Sequence, residues 1–274
     1  MTAPAGSVYN LQVNAMSPPG RARWLAAPLL VLVLSACAAQ SDAIPAGTLN
    51  PDRYLFDQAQ AAVADEDWLE AQQRFQQLVD GFPQSPLRED ARMGLANAFL
   101  SQGSAESRVL AAAEFEDFLR FYPTSPSADQ AQYGLAMTHY EQMRAPERDQ
   151  TETRATLAEL EAFFARYPDS PLMPEARARW REARDRLSES VYLVGLYYFR
   201  TNWLPGATDR FEQVLADDPG YSNRDAVYFY LAESYVRADN TAEAVPYLER
   251  LLAEFDASAF RADAERRLQE LTVQ

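Results

Sequence analysis

"GFPQSP" at 81–86, "FYPTSP" at 121–126 and "RYPDSP" at 166–171 are one phrase written three times, with weaker echoes in "DDPGYS" at 217–222 and "EFDASA" at 254–259. Counting backwards from each proline exposes a frame. Phe75 stands eight and Ala71 twelve before Pro83, and Phe115 and Ala111 hold those places before Pro123. Leu160 and Thr156 hold them before Pro168, and Phe211 and Ala207 before Pro219. In the fifth copy Asp256 replaces the proline, with Leu248 and Ala244 in frame. The physics of the frame is helical. Alanine lets two helices approach, and the large residue four later lies on the same face, one turn on. Proline stops the helix, because it has no N–H to give and restricts the residue before it. The serine that follows can cap the next helix.

Twelve residues before the alanine a small residue recurs as Ala59, Gly195 and Ala232, with Tyr198 and Tyr235 three further on. This pattern resembles the tetratricopeptide (TPR) repeat, a pair of antiparallel helices that stacks into a solenoid. Eleven helices are predicted, at 52–65 with 67–80, 86–101 with 106–121, 126–143 with 150–166, 172–200 with 203–216, 223–237 with 241–254, and a capping helix at 258–272. Pairs two and three are expected to have longer internal turns, near "SQGSAESR" and "RAPERDQTETR", where the small residue cannot be placed. Helix 172–200 begins charged and arginine-rich and ends almost wholly apolar in "VYLVGLYYF". It reads as a connector whose exposed first half separates three repeats from two. The fold class is therefore an all-α, TPR-like solenoid of five helix pairs plus a C-terminal cap.

The N-terminus has another character. The first 36 residues hold no Asp or Glu, and their only charges are Arg21 and Arg23. Trp24 to Leu34 follows without a charged or polar side chain, too short to span a bilayer that needs about 20 residues. This fits the basic region and apolar core of a secretory signal. It ends in "LSAC" at 34–37, which carries the chain's one cysteine. The order resembles the bacterial lipobox. The resemblance implies cleavage before Cys37 and acylation of its thiol, and the three acyl chains implied would anchor firmly where one would not. Ala38 is not the aspartate that retains many such proteins in the inner membrane, which points to the periplasmic face of the outer membrane. Cleavage removes two positive charges and no negative one, taking the chain from −15 to −17. Met16 offers an alternative start. The expected organisation is a signal at 1–36, a lipidated flexible tether at 37–51, repeats one to three at 52–171, and the long helix, repeats four and five and the cap at 172–274.

Composition bounds the chemistry. All 25 basic residues are arginine, so no catalytic, Schiff-base or phosphate-loop lysine exists. The net charge of −15 argues against a nucleic-acid partner. The one histidine, His139, has no cysteine or second histidine to make a metal site or a triad, and reads as a packed or surface residue. "ADEDW" at 64–68 falls where the first pair turns and suits a helix N-terminus, not calcium. The aromatic groups "VYLVGLYYF" and "VYFYLAESY" read as solenoid core. No enzyme and no cofactor are implied. A solenoid offers a long groove for extended or helical peptides.

The segment from Arg148 to Pro219 then becomes informative: "RD" at 148–149, "LAELEAFFARYPDSP", "EARARWREARDRLSESVYLVGLYYFRTNW" and "ATDRFEQVLADDP". Together with the lipobox and five repeats, it resembles the BamD family of lipoproteins in the outer-membrane β-barrel assembly machinery, over about 50–272. The first two loops depart from the family, with Leu87-Arg88 and Ser125-Pro126 where it has other residues. The resemblance implies a scaffold whose N-terminal repeats receive unfolded barrel precursors. It implies that the last two repeats dock on a periplasmic domain of the central barrel subunit, beside other assembly lipoproteins. Arg210 matches the family arginine that opens the second helix of repeat four and contacts that subunit, and Arg200 lies near a second such arginine. The alternative is another periplasmic TPR lipoprotein, such as a Tol–Pal-associated coordinator, a group that usually has heptads this chain lacks. A Cys37→Ser chain is expected to leave the membrane fraction; retention in the pellet after a high-salt wash would show that the thiol is not the anchor.

Overall fold

In the computed structural model, residues 44–272 are described; Cys37 and the signal lie outside them. The described chain is eleven helices and the turns between them, with no strand among the described residues. They are α1 (Pro51–Ala64), α2 (Trp68–Gly81), α3 (Arg88–Gln102), α4 (Ala105–Phe121), α5 (Ala128–Tyr140), α6 (Thr151–Arg166), α7 (Met173–Arg200), α8 (Leu204–Asp217), α9 (Arg224–Arg237), α10 (Thr241–Glu254) and α11 (Arg261–Thr272). Each packs on the helix before and after it, and the first helices of successive pairs also meet: α3 with α5, α5 with α7, α7 with α9. That neighbour-only pattern is an α-solenoid.

The frame read from the sequence is the core. Ala71, Ala111, Thr156, Ala207 and Ala244 are fully buried, and so are Phe75, Phe115, Leu160, Phe211 and Leu248. Thr156 holds the alanine place because its hydroxyl donates to the Glu152 carbonyl, one turn back at 2.8 Å, and brings no unsatisfied polar group into the core. The small partners that the frame could not place in pairs two and three are Ala96 and Ala136, both fully buried in those repeats' cores. Stacking between repeats uses a second set. Gly94 and Gly134 receive the Phe75 and Phe115 rings of the preceding repeat so closely that neither could carry a methyl group without something shifting.

The turns follow simple rules. Pairs one, two, four and five each close on one residue with φ between 56° and 72°: Glu66, Gly103, Asn202 and Asp239. Asp67 then caps α2, its carboxylate accepting from the Glu70 N–H at 3.2 Å, which is the helix-start role expected of "ADEDW". Two expectations about turns need correction. "SQGSAESR" is not a longer turn. Gly103 and Ser104 alone connect α3 and α4, and the extra residues lengthen the helices themselves to 15 and 17 residues. Pair three does have a long connection, 141–150, because α5 stops at Tyr140, not at residue 143. Its end unwinds through bonds from Gln142 N to His139 O and Met143 N to Tyr140 O, just ahead of Pro146.

Between repeats, the residue before the proline leaves the helical region, with φ near −130° and ψ of 66°, 52° and 56° at Phe82, Tyr122 and Tyr167. Phe255 has the same conformation before Asp256, so the fifth repeat stops its helix without proline. The serines of these loops do not act as N-caps. Each accepts from the N–H two residues on, as Ser85 Oγ does from Leu87 at 3.1 Å. Each also donates to an acid in the first turn of the preceding pair's first helix. Ser85, Ser170 and Ser258 reach Asp52, Asp129 and Asp225 at 2.6 Å, and Ser125 reaches Glu89. The start of one helix pair is thus tied to the start of the next.

At the N-terminal end, the last part of the expected tether is ordered. Ile44 packs on the α1–α2 core, and Thr48 turns back onto the Pro45 carbonyl through its N–H at 3.1 Å. At the other end, α11 presents one buried residue, Ala264, and is fastened by a fork from Arg267 to Glu233 on α9 at 2.6 and 2.9 Å, as a cap should be. Phe115→Ala should lower stability by about 3–5 kcal/mol, the usual cost of emptying a buried phenyl site. Urea unfolding followed by circular dichroism checks it; a loss under 1 kcal/mol, roughly what a surface substitution costs, would mean that the ring is not holding repeats two and three together.

Candidate functional site

The long helix α7 is where the solenoid departs from repetition. Its 28 residues are about 42 Å long, twice the other first helices. The first half was expected to be an exposed spacer, and it is not. Ala176 and Ala183 are fully buried, and Trp180 packs on the α6 core. Its arginines are engaged. Arg179 stacks on Tyr140 and donates to the phenol oxygen at 3.1 Å, and Arg186 donates to the Met143 and Arg144 carbonyls at 3.2 and 3.3 Å. Gln150 closes the 141–150 connection on itself through the Ala145 and Arg148 carbonyls.

The fourth inter-repeat loop meets the middle of this helix, and two frame residues change there. Where the other loops have Phe or Tyr before the proline position, this one has Asp218, only 3% exposed. Where the other four have serine, it has Tyr221. Asp218 accepts both terminal nitrogens of Arg181, with Nη1 at 3.0 Å, and the Ser188 hydroxyl at 2.7 Å. Tyr221 donates to Glu189, and Asp185 accepts the Ser222 N–H at 3.0 Å. The change has a geometric reason: the first turn of α7, with Glu175, is too far along the helix to reach this loop, so mid-helix side chains take over. Burial pushes the Asp218 carboxyl upward. The bonds from Arg181 and Ser188, with the Arg181 and Arg184 charges, more than reverse that and hold it below its ordinary 3.8.

Past this junction α7 turns apolar. Tyr192, Leu196 and Phe199 enter the core with Phe211 on α8, and Gly195 lets the Phe211 ring and the Arg210 Cβ approach α7. Arg237 of α9 lies over the Phe199 ring at 3.9 Å. The opposite side of α7 faces solvent with Val194 and Tyr197, the latter 63% exposed, and Trp203, 54% exposed, follows just ahead of α8. Trp203 is held edge-on to Tyr198 at 4.4 Å and covers Gly206. This face and the 146–150 segment line a groove of about 580 Å³; a second, of about 700 Å³, lies between that connection and the 221–223 loop and is lined by Glu182, Asp185 and Glu189.

Arg200 and Arg210 are both exposed, on consecutive helices. Arg210 lies in the middle of α8, not at its opening, and donates to Gln213 at 2.7 Å; Arg200 makes no hydrogen bond or ion pair among the described residues. No hydrogen bond joins them. His139 pairs with Glu152 through Nδ1 at 2.8 Å, and no His, Cys, Asp and Glu group among the described residues is arranged to hold a metal. No helix among the described residues is long and apolar enough to cross a membrane.

The sequence profile of YfiO, an outer membrane lipoprotein family, matches residues 49–245, from the start of α1 into α10. The chain belongs to the YfiO family. The sequence resemblance to the BamD family is borne out by curated relatives of that name. This YfiO chain is 25% identical over 196 residues to the outer membrane protein assembly factor BamD of Vibrio cholerae, covering 68% of this chain and 79% of that one. It is 28% identical over 109 residues to the BamD of Caulobacter vibrioides, covering 40% of this chain and 36% of that one. Among solved structures it is similar to MamA 41-end from Desulfovibrio magneticus RS-1, at 14% identity and a TM-score of 0.35, covering 79% of this chain and 99% of that one.

The Asp218 cluster was not legible as a site in the sequence, although its substitution for an aromatic before Pro219 is visible there. Because its native pKa lies below the unfolded value, the stability that Asp218 contributes is complete above about pH 3.8 and is lost as pH falls through the lower native value. Urea midpoints measured from pH 6 to 2 should show this acid loss in the YfiO chain; an identical acid slope in Asp218→Asn would show that the carboxylate plays no part.

Proposed function

We propose that this YfiO chain is a lipid-anchored scaffold of outer-membrane β-barrel assembly. Cys37 holds it on the periplasmic face of the outer membrane, the N-terminal repeats receive unfolded barrel precursors, and the last repeats dock on the periplasmic part of the central barrel subunit. The observation that carries this reading is the family membership of a solenoid whose first four helix pairs and α9 fall within one outer membrane lipoprotein family, together with its assembly-factor relatives. The chemistry is compatible. The α7–α8 unit is rigid, pinned through Asp218 and Phe211, and it displays Arg200 and Arg210 with no carboxylate partner of their own. A guanidinium fork can clasp a partner's carboxylate or carbonyl bidentately.

Purification of the tagged, lipidated chain from detergent-solubilised outer membrane is expected to recover a large β-barrel protein with polypeptide-transport domains. Arg210→Glu should reduce that recovery roughly tenfold, as for an interface hot spot, while leaving the circular dichroism spectrum intact. Recovery of Pal or TolB alone would refute the assembly role and favour the Tol–Pal alternative.

A further inference from the structure

We propose that the groove between residues 146–150 and the outer face of α7 is a docking site for a short extended polypeptide segment in which carboxylates flank an aromatic or aliphatic side chain. It is distinct from docking through Arg210 and does not rest on it. Gly195 faces Arg210, and two residues along a helix turn about 200°, so Tyr197 looks out from the other side of α7.

The first observation is the pairing state of the arginines. Most in the described chain meet a carboxylate, a carbonyl or an aromatic ring. Arg144, Arg148, Arg154 and Arg200 have exposed side chains that take no hydrogen bond, ion pair or ring contact. Two of them, Arg148 and Arg154, line this groove. Among the described residues of a protein with 40 acidic and 25 basic side chains, two unpaired cations thus line one groove, where an acidic partner would meet them.

The second observation is the surface between them. Leu193, Val194, Tyr197 and Tyr198 line the groove, and exposed Trp203 extends it. Tyrosine, tryptophan and arginine are the residues that dominate binding hot spots. Trp203 is fixed by Tyr198, and the opposite wall is closed by the Gln150 bonds, so little ordering remains for a ligand to impose. The volume of about 580 Å³ suits a few side chains. A peptide fits better than a membrane. Glu147 and Asp149 alternate with Arg148 along the wall, Asp149 being held by Thr151, so the basic side chains stand singly, as spaced carboxylates on a peptide require and a continuous anionic bilayer does not.

The test uses the lipidated full chain in neutral detergent micelles and a labelled peptide alternating Glu with Phe and Leu, followed by fluorescence anisotropy. Binding should weaken with salt. It should fall roughly tenfold in Arg148→Ala/Arg154→Ala and in Tyr197→Ala, the scale of a hot-spot loss, and hold in Arg210→Ala. All four replaced side chains are exposed, so the variants keep the fold. Equal binding of the peptide with Lys for Glu, or no change in the groove variants, overturns the proposal. So does capture of phosphatidylglycerol vesicles through Arg148 and Arg154 in the absence of peptide binding, which would assign the surface to lipid.

Discussion

A phenyl ring on the second helix of a pair, seated against a small residue on a neighbouring first helix, is the contact on which the rest of this molecule depends. Phe75 against Gly94 and Phe115 against Gly134 make this contact between repeats, and Phe211 against Gly195 makes it within the fourth pair. The ring removes a large apolar surface from water, and the glycine lets the helix axes come close enough to bury it. With the rings in place, the serine–carboxylate bonds at the loops align one helix start with the next. Those bonds alone would be worth little beside the apolar burial.

The array is interrupted once, and the interruption is polar. At the fourth loop an aspartate replaces the aromatic residue and a tyrosine replaces the serine, and both turn towards α7. A buried carboxylate is costly unless its lone pairs are taken, and here Arg181, Ser188 and the Gly220 N–H take them. Such a cluster is more specific than an apolar contact, because only one register of α7 against the loop satisfies it. That register decides which face of the last α7 turns looks outward, and so where Tyr197 and Arg200 are displayed.

Much of this was legible in the primary structure. The five-copy frame located all ten of its core positions, and each predicted helix lies within a few residues of the observed one. The frame works because burial in a solenoid is local, so spacing along the chain reports spacing in the fold. Errors arose where local spacing stops being informative. Gly103 permits a two-residue turn that the composition of "SQGSAESR" concealed. Arg181 and Asp218 are 37 residues apart, and nothing in either segment announces the other. The first half of α7 looked exposed because it is charged, yet its arginines are satisfied by carbonyls and phenols that a sequence does not display. Arg200 and Arg210 were singled out through resemblance, and the fold puts both on the surface.

The neighbour-only packing also bears on how such a chain comes into being. Every helix finds its partners within the segments just before and after it. A polypeptide threaded through a membrane from its N-terminus could therefore set each hairpin as it emerges, without waiting for distant residues. The polar ties between repeats must wait one repeat longer: Arg181 arrives 37 residues ahead of Asp218, and Asp129 arrives 41 ahead of Ser170.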